Sequence, residues 1–231
     1  MVSPTSHNFV DKKDLTNSVR ITWFGHSMFL LEDSEVKLLF DPFDNDMVGY
    51  GRPDVEADVV MVSHGHGDHN NSDIVRGNPA ILNKPGSYSP DNVRITGLQA
   101  FHDQSGGSQR GLNIIFRVEM KEVTFVHLGD LGHIPSAELA KGLHDTDVLF
   151  IPVGGVFTID ADMAVEVVRV LRPRIVIPMH YGTPAGKIPL GTEEPFIKNF
   201  KNVERINEGP IYLSKEEIPE LTLVLVMSYV S

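Results

Sequence analysis

The segment His64-Gly-His-Gly-Asp-His69 follows directly on the apolar run Val59-Val-Met-Val-Ser63. It constrains the fold more than any other feature, because four metal-ligating side chains fall within six residues at the end of what reads as a buried strand. Residues two apart in an extended chain point the same way, so His64 and His66 address a common point beyond the strand. Gly65 and Gly67 carry no Cβ and let the backbone turn tightly, which swings Asp68 and His69 toward a second point nearby. Two adjacent divalent metal ions become possible. Imidazole with carboxylate suits zinc first, with manganese, iron and nickel as alternatives. The 231 residues include no cysteine, so thiolate ligands and disulfides are excluded.

Four side chains cannot complete two metal sites, since a catalytic metal ordinarily takes three protein ligands and a water. The remainder must come from other strand ends. His102 follows the apolar run 93–101, Asp130 follows 123–129 and His180 follows 175–179, each immediately. A polar side chain just past a buried strand is fixed by the strand and exposed by the loop, which is where mixed folds place chemistry. His127 and His133 compete with His102 for the place beside His64 and His66. His127 lies three residues before Asp130, where strand alternation puts the two on opposite faces and makes it a packed or supporting histidine.

The rest of the chain reads as strand-rich in its first half and alternating in its second. Apolar runs at 19–23, 28–32 and 36–40, separated by turn residues, predict a β-meander that ends at Asp41-Pro42. Residues 42–57 read as loop and 72–76 as a short helix; strands are expected at 80–83, 93–100, 113–119 and 123–128. Beyond these, helices near 136–141, 159–171 and 193–200 alternate with strands at 148–152 and 175–179, and strands at 203–206 and 222–227 close the chain. Thr158 or Asp160 is available to cap the second of these helices, and Arg172-Pro173 stops it. Residues 1–18 form a polar leader, and 19–231 read as one domain with no linker or repeat.

A hydrophobic fraction of 41% with 22% charged residues predicts a soluble globular chain with a sizeable core. The net charge of −11 and the lack of a basic run oppose nucleic-acid and anionic-membrane binding. No apolar leader or membrane-length run is seen, so a cytoplasmic location is expected, and a secreted lactamase is disfavoured.

The order H-x-H-x-D-H, His, Gly-Asp, His at strand ends resembles the metallo-β-lactamase superfamily, here as His64, His66, Asp68, His69, His102, Gly129-Asp130 and His180. Trp23-Phe24-Gly25-His26-Ser27, Asp41-Pro42-Phe43, Gly111-Leu-Asn113 and Pro152-Val-Gly-Gly155 are similar to its branch of bacterial metal-dependent hydrolases near the ascorbate-phosphate lactonases and N-acylphosphatidylethanolamine phospholipase D. The resemblance implies an α+β fold, a four-layered αββα sandwich with the site at one edge between the sheets. It implies that His64, His66 and His102 hold one ion, Asp68, His69 and His180 the other, and that Asp130 bridges them. The third histidine of the pattern usually follows a glycine, whereas here it stands in Phe101-His102-Asp103, which keeps His127 and His133 in view.

The expected function is hydrolysis of a small-molecule ester, lactone, amide or phosphoester by a metal-activated water. Asp68 is expected to orient the nucleophile and take its proton; for His26 the resemblance implies a substrate contact or proton donor, with a structural turn histidine as the alternative. Asp41 beside Pro42 reads by itself only as a turn, while the resemblance implies that it accepts a hydrogen bond from a ligand histidine and fixes its tautomer. Arg110 is a candidate for binding a phosphate or carboxylate, Asn113 for polarising a carbonyl or holding its loop, and Tyr181 for reaching the cleft. A metal-binding protein without catalysis is the alternative; a nuclease of the same superfamily fits the acidic charge poorly.

Overall fold

The computed structural model describes residues 9–11, 13–90 and 92–230. Its strands are β1 (Val19–Gly25), β2 (Met28–Glu32), β3 (Lys37–Phe40), β4 (Val59–Met61), β5 (Ala80–Leu82), β6 (Gly86–Tyr88), β7 (Arg94–Phe101), β8 (Leu112–Met120), β9 (Val123–His127), β10 (Val148–Pro152), β11 (Ile175–Met179), β12 (Val203–Ile206), β13 (Ile211–Leu213) and β14 (Leu223–Met227). The α-helices are α1 (Asn45–Val48), α2 (Ala137–Gly142), α3 (Ala161–Leu171) and α4 (Glu194–Ile197). One sheet has the order β13-β1-β2-β3-β4-β5, the other β12-β14-β11-β10-β9-β8-β7-β6. The fold is the expected α+β sandwich.

Alternation along the strands explains how the first sheet is covered on both faces. Phe29, Leu31, Leu38 and Phe40 face the core shared with the second sheet, while Met28, Leu30 and Leu39 face a second cluster with Phe43, Val48, Tyr50, Val55 and Ile74. Apart from Ile74, from the expected short helix, that outer layer comes from residues expected to be plain loop: α1 is a single turn, capped by Asp44, whose side chain accepts from the Asp46 and Met47 N–H groups. On the second sheet the outer layer is α3, which buries Ala164, Val165, Val167, Val168 and Leu171 on one stripe. Asp160 caps it by accepting from Met163 N–H, and Arg172 closes it in the left-handed region before Pro173. Each large side chain removed from water in these layers contributes about 1.5–3 kcal/mol.

Strand direction sets the site. In the first sheet β1 and β3 both run antiparallel to β2, and β4 lies parallel to β3. In the second, β9, β10 and β11 are parallel, and β7 runs in the direction of β9 because both are antiparallel to β8. The C-terminal ends of β1, β3 and β4 therefore share one edge of their sheet, and those of β7, β9, β10 and β11 one edge of the other. The His180 N–H donates to the His26 carbonyl (3.1 Å), joining the two edges.

Two strands escaped the sequence reading. β6 and β13 are three-residue segments, and β13 pairs antiparallel with the distant β1. Order also begins before Val19. Residues 1–8 of the leader lie outside the described residues, but Phe9 is buried in the core and its carbonyl accepts from Tyr212 N–H (2.7 Å), docking the segment on β13. Among the described residues, no helix is long and apolar enough to cross a membrane.

Candidate metal centre

The loop after β4 is held by the residue that ends β3. Asp41 takes a left-handed backbone (φ 45°), and its carboxylate accepts from Ser63 N–H (2.7 Å) and the Ser63 hydroxyl (2.7 Å). The same carboxylate lies 2.9 Å from His69 Nδ1. The Ser63 hydroxyl has one proton and spends it on Asp41, so at 3.0 Å it accepts from His64 Nδ1–H. These bonds assign both His64 and His69 the tautomer whose Nε2 lone pair is free. Asp41 thus makes the contact to a candidate ligand histidine that the resemblance implies.

The expected ligands converge. Nitrogen atoms of His64, His66 and His102 lie within 4.8 Å of one another, and so do ligand atoms of His26, Asp68, His69 and His180. A third group, His64, His69 and Asp130, joins the first two. Asp130 Oδ1 is 3.1 Å from His69 Nε2, while Oδ2 is 3.2 Å from His102 Nε2, 3.3 Å from His180 Nε2 and 3.9 Å from His64 Nε2. His26 and His180 both take φ 50°, a left-handed backbone that is costly for a residue with a Cβ and is kept where the surroundings enforce it. Their rings lie 4.1 Å apart, and His26 Nε2 is 3.2 Å from Asp68 Oδ2.

His127 and His133 are engaged elsewhere. His127 stacks on Phe40 (4.7 Å between centroids), donates from Nε2 to the Ser27 carbonyl and accepts Gly129 N–H at Nδ1. His133 donates from Nδ1 to the Ile134 carbonyl and accepts Phe101 N–H at Nε2. Asn113 holds the loop: it donates to the Leu128 carbonyl (2.8 Å) and accepts Asp130 N–H (2.9 Å). Tyr181 packs on Trp23 (5.5 Å), and Lys187 donates to the Asp46 carbonyl.

Asp103 escaped the sequence reading as a site residue. Its carboxylate accepts the N–H groups of Ser105, Gly107, Gln109 and Arg110 and the Ser105 hydroxyl, organising the polar loop after β7. The signal available was an aspartate opening a Ser/Gly-rich turn, the setting in which carboxylates bond their own backbone. Gly132 lets the chain after Asp130 pass this loop, since a Cβ there would lie 2.3 Å from Asp103 N.

The donor set fits metal ions. His64 Nε2, His69 Nε2, His102 Nδ1, both His180 nitrogens and Asp130 Oδ1 are buried without a hydrogen-bond partner, an expensive arrangement unless a cation takes up the lone pairs. Burial, with the charges of neighbouring histidines, pushes the His26 pKa down to about 4 and that of His64 to about 3, keeping both neutral, as the candidate ligand His64 must be. Burial raises the Asp68 and Asp130 carboxyls, but histidine neighbours outweigh it and hold both below the usual range; burial likewise lowers His69, but Asp130 and Asp41 hold it well above its ordinary value. Ionised carboxylates beside the neutral imidazoles of His26 and His64 call for positive charge, which without a metal is met in part by the proton on His69 and which a cation at the His69 Nε2 would replace.

A family model described as "Beta-lactamase superfamily domain" matches residues 20–180, the span from β1 to the last candidate ligand. The chain belongs to the metallo-β-lactamase superfamily. Within it, the chain is 33% identical to a UPF0173 metal-dependent hydrolase of Desulforamulus reducens, over 77% of this chain and 89% of the relative. A second UPF0173 relative, from Pyrobaculum islandicum, is 32% identical over 85% of this chain and 97% of its own. The chain is therefore a member of the UPF0173 metal-dependent hydrolases. A crystal structure from Thermotoga maritima, described as a candidate zinc-dependent hydrolase of the superfamily, superposes with a TM-score of 0.76 at 37% identity, covering 92% of this chain and 100% of that one. A structure from Parabacteroides distasonis, at 18% identity and a TM-score of 0.61 over 84% of this chain and 95% of that one, has a similar fold.

Proposed function

We propose that this member of the superfamily hydrolyses a small-molecule ester, lactone, amide or phosphoester at a centre of two divalent ions, zinc foremost. The observation that carries the reading is the convergence of buried, unpartnered imidazole nitrogens and a carboxylate oxygen on one edge of the sandwich. His64, His66 and His102 are assigned to one ion, Asp68, His69 and His180 to the other, with Asp130 between them. Ions bound there would supply a nucleophilic water at neutral pH and offset charge developing on the substrate oxygen.

The chain's own residues do the rest. Asp68 is assigned the orientation of the nucleophile and acceptance of its proton, a role supported by its being kept ionised. His26, neutral near pH 7, offers Nε2–H to Asp68 Oδ2, which supports a role in positioning that carboxylate rather than in donating a proton. Asp41 and Ser63 hold His69 and His64 with their Nε2 lone pairs free. The charge of −11 favours a small molecule over nucleic acid.

The test is metal analysis of the purified protein, followed by a panel of chromogenic ester, lactone and phosphodiester substrates with and without chelator. Two equivalents of metal and chelator-sensitive hydrolysis are expected. Metal without turnover across the panel would favour a binding protein. If His66→Ala leaves metal content and hydrolysis untouched, the assignment is wrong.

A further inference from the structure

The mouth of the centre is marked by His66, exposed where the other candidate ligands are buried. Arg110 stands on its flank. The His102 N–H donates to the Gly111 carbonyl (3.1 Å), so the Arg110-Gly111 backbone lies directly against His102. The Arg110 guanidinium reaches across to the loop after β10, with its Cζ 4.8 Å from the centroid of the Phe157 ring and an N–H directed at the Val156 carbonyl (3.5 Å). That loop is fastened to the other half of the centre, because Gly154 N–H donates to the His180 carbonyl (3.1 Å). The guanidinium therefore spans from the His102 side to the His180 side.

Arg110 is held ready for something. Its backbone N–H is fixed on the Asp103 carboxylate, and its side chain is stacked on an aromatic face. Yet among the described residues it makes no ion pair, in a chain carrying 31 acidic residues against 20 basic ones. A guanidinium offers five N–H donors in a planar fork shaped for two oxygens of a carboxylate or phosphate. The backbone beneath it is strained as well: Val156, β-branched, takes φ 61°, a conformation such residues avoid unless the site demands it. Beside it lie exposed apolar side chains, Val156 at 60% and Phe157 at 37%. Met47, 50% exposed, lies against the histidine loop, its sulfur 3.4 Å from where a Cβ on Gly67 would stand.

We propose that Arg110 is the anion-recognising residue of the substrate site. The substrate then carries a carboxylate or phosphate apart from its scissile bond, joined by an apolar segment that lies against Val156, Phe157 and Met47. The proposal rests on the hydrolase reading in treating this mouth as the route of substrate entry.

The test is isothermal titration of the metal-loaded protein with 4-phenylbutyrate, 4-phenylbutyl phosphate and the neutral 4-phenylbutan-1-ol. Wild-type protein is expected to bind at least one anion about tenfold more tightly than the alcohol, and the stronger anion identifies the group read. Arg110→Ala should lower that ratio by about tenfold, and Arg110→Lys, which keeps the charge but not the fork, should restore only part of it. Phe157→Ala should weaken all three ligands together. Equal binding of anions and alcohol by wild-type protein, or a ratio unchanged in Arg110→Ala, overturns the proposal. An Arg110-dependent preference without hydrolysis of any panel substrate supports the anion site and sinks the hydrolase; hydrolysis with no such preference does the reverse.

Discussion

Asn113 gives the sharpest test of how the centre is supported, because its side chain touches no candidate ligand through an imidazole or a carboxylate. It is fully buried, donates to the Leu128 carbonyl and accepts the N–H of Asp130, bracketing the Gly129 turn. Gly129 takes φ 53°, and a Cβ there would stand 2.4 Å from Asn113 Oδ1, so the turn and the amide are fitted to each other. Asn113→Ala strands one buried N–H and one buried C=O, each costing about 1–3 kcal/mol, for a loss of about 2–6 kcal/mol before the void adds to it. That is a large share of the roughly 5–15 kcal/mol that holds a domain folded. Because Asp130 loses the bond that sets its backbone, metal affinity should fall by about tenfold or more. Urea titration of the metal-loaded protein and competition against a chromophoric chelator measure the two effects. Asn113→Asp keeps the acceptor for Asp130 N–H but not the donor to Leu128, so it separates the two bonds. A loss under about 1 kcal/mol with metal affinity within about twofold of wild type would refute the reasoning.

Gly132→Ala places a Cβ within 2.3 Å of Asp103 N and 2.4 Å of His102 C, backbone atoms that cannot swing aside. About 1–3 kcal/mol of stability should be lost, with a larger proportional fall in metal-dependent hydrolysis, read by urea titration and kcat/KM. Asp41→Asn removes the anion facing His69 and disturbs the Ser63 bonds, so metal affinity should drop about 10–100-fold by chelator competition; an unchanged affinity would mean that Asp41 is only a turn residue. Protein stripped of metal should lose stability as pH falls from 6.5 toward 4. The His26 and His64 pKa values are depressed to about 4 and about 3, so in this window the unfolded chain takes up protons that the folded one refuses. His26 alone accounts for about 3 kcal/mol across the window. His69, raised above its ordinary value, stays protonated in both states below that range; its contribution is lost only as pH rises through its folded pKa. Urea midpoints that hold steady or rise on acidification would contradict this.

Much of the convergence at the candidate centre is legible because the candidate ligands sit in a pattern that strand geometry makes readable. His64, His102, Asp130 and His180 each end an apolar run, and a strand end is a fixed place. What was hidden depended on contacts between distant segments. β13 has three residues and gains its identity from β1, and α1 is defined by a local cap and by burial of Val48 against the first sheet. The left-handed backbones of His26, Asp41 and His180 carry no decisive sequence signature, since Asp and His enter that region more readily than most side chains yet only in a small minority of cases, where the surroundings hold them. Asp103 was overlooked for the opposite reason: its bonds are all local, but a Ser/Gly-rich loop looks the same whether or not a carboxylate organises it.

The placement of β14 between β11 and β12, rather than at the sheet's edge, bears on how such a protein is made. His180 leaves the ribosome before β12, β13 and β14, yet the strand that carries it needs β14 as its hydrogen-bonded neighbour, and β1 needs β13. Every candidate ligand is synthesised while neither sheet can yet be completed. The candidate ligands are therefore present on the nascent chain without the scaffold that spaces them, and the geometry described above exists only after the closing strands have joined.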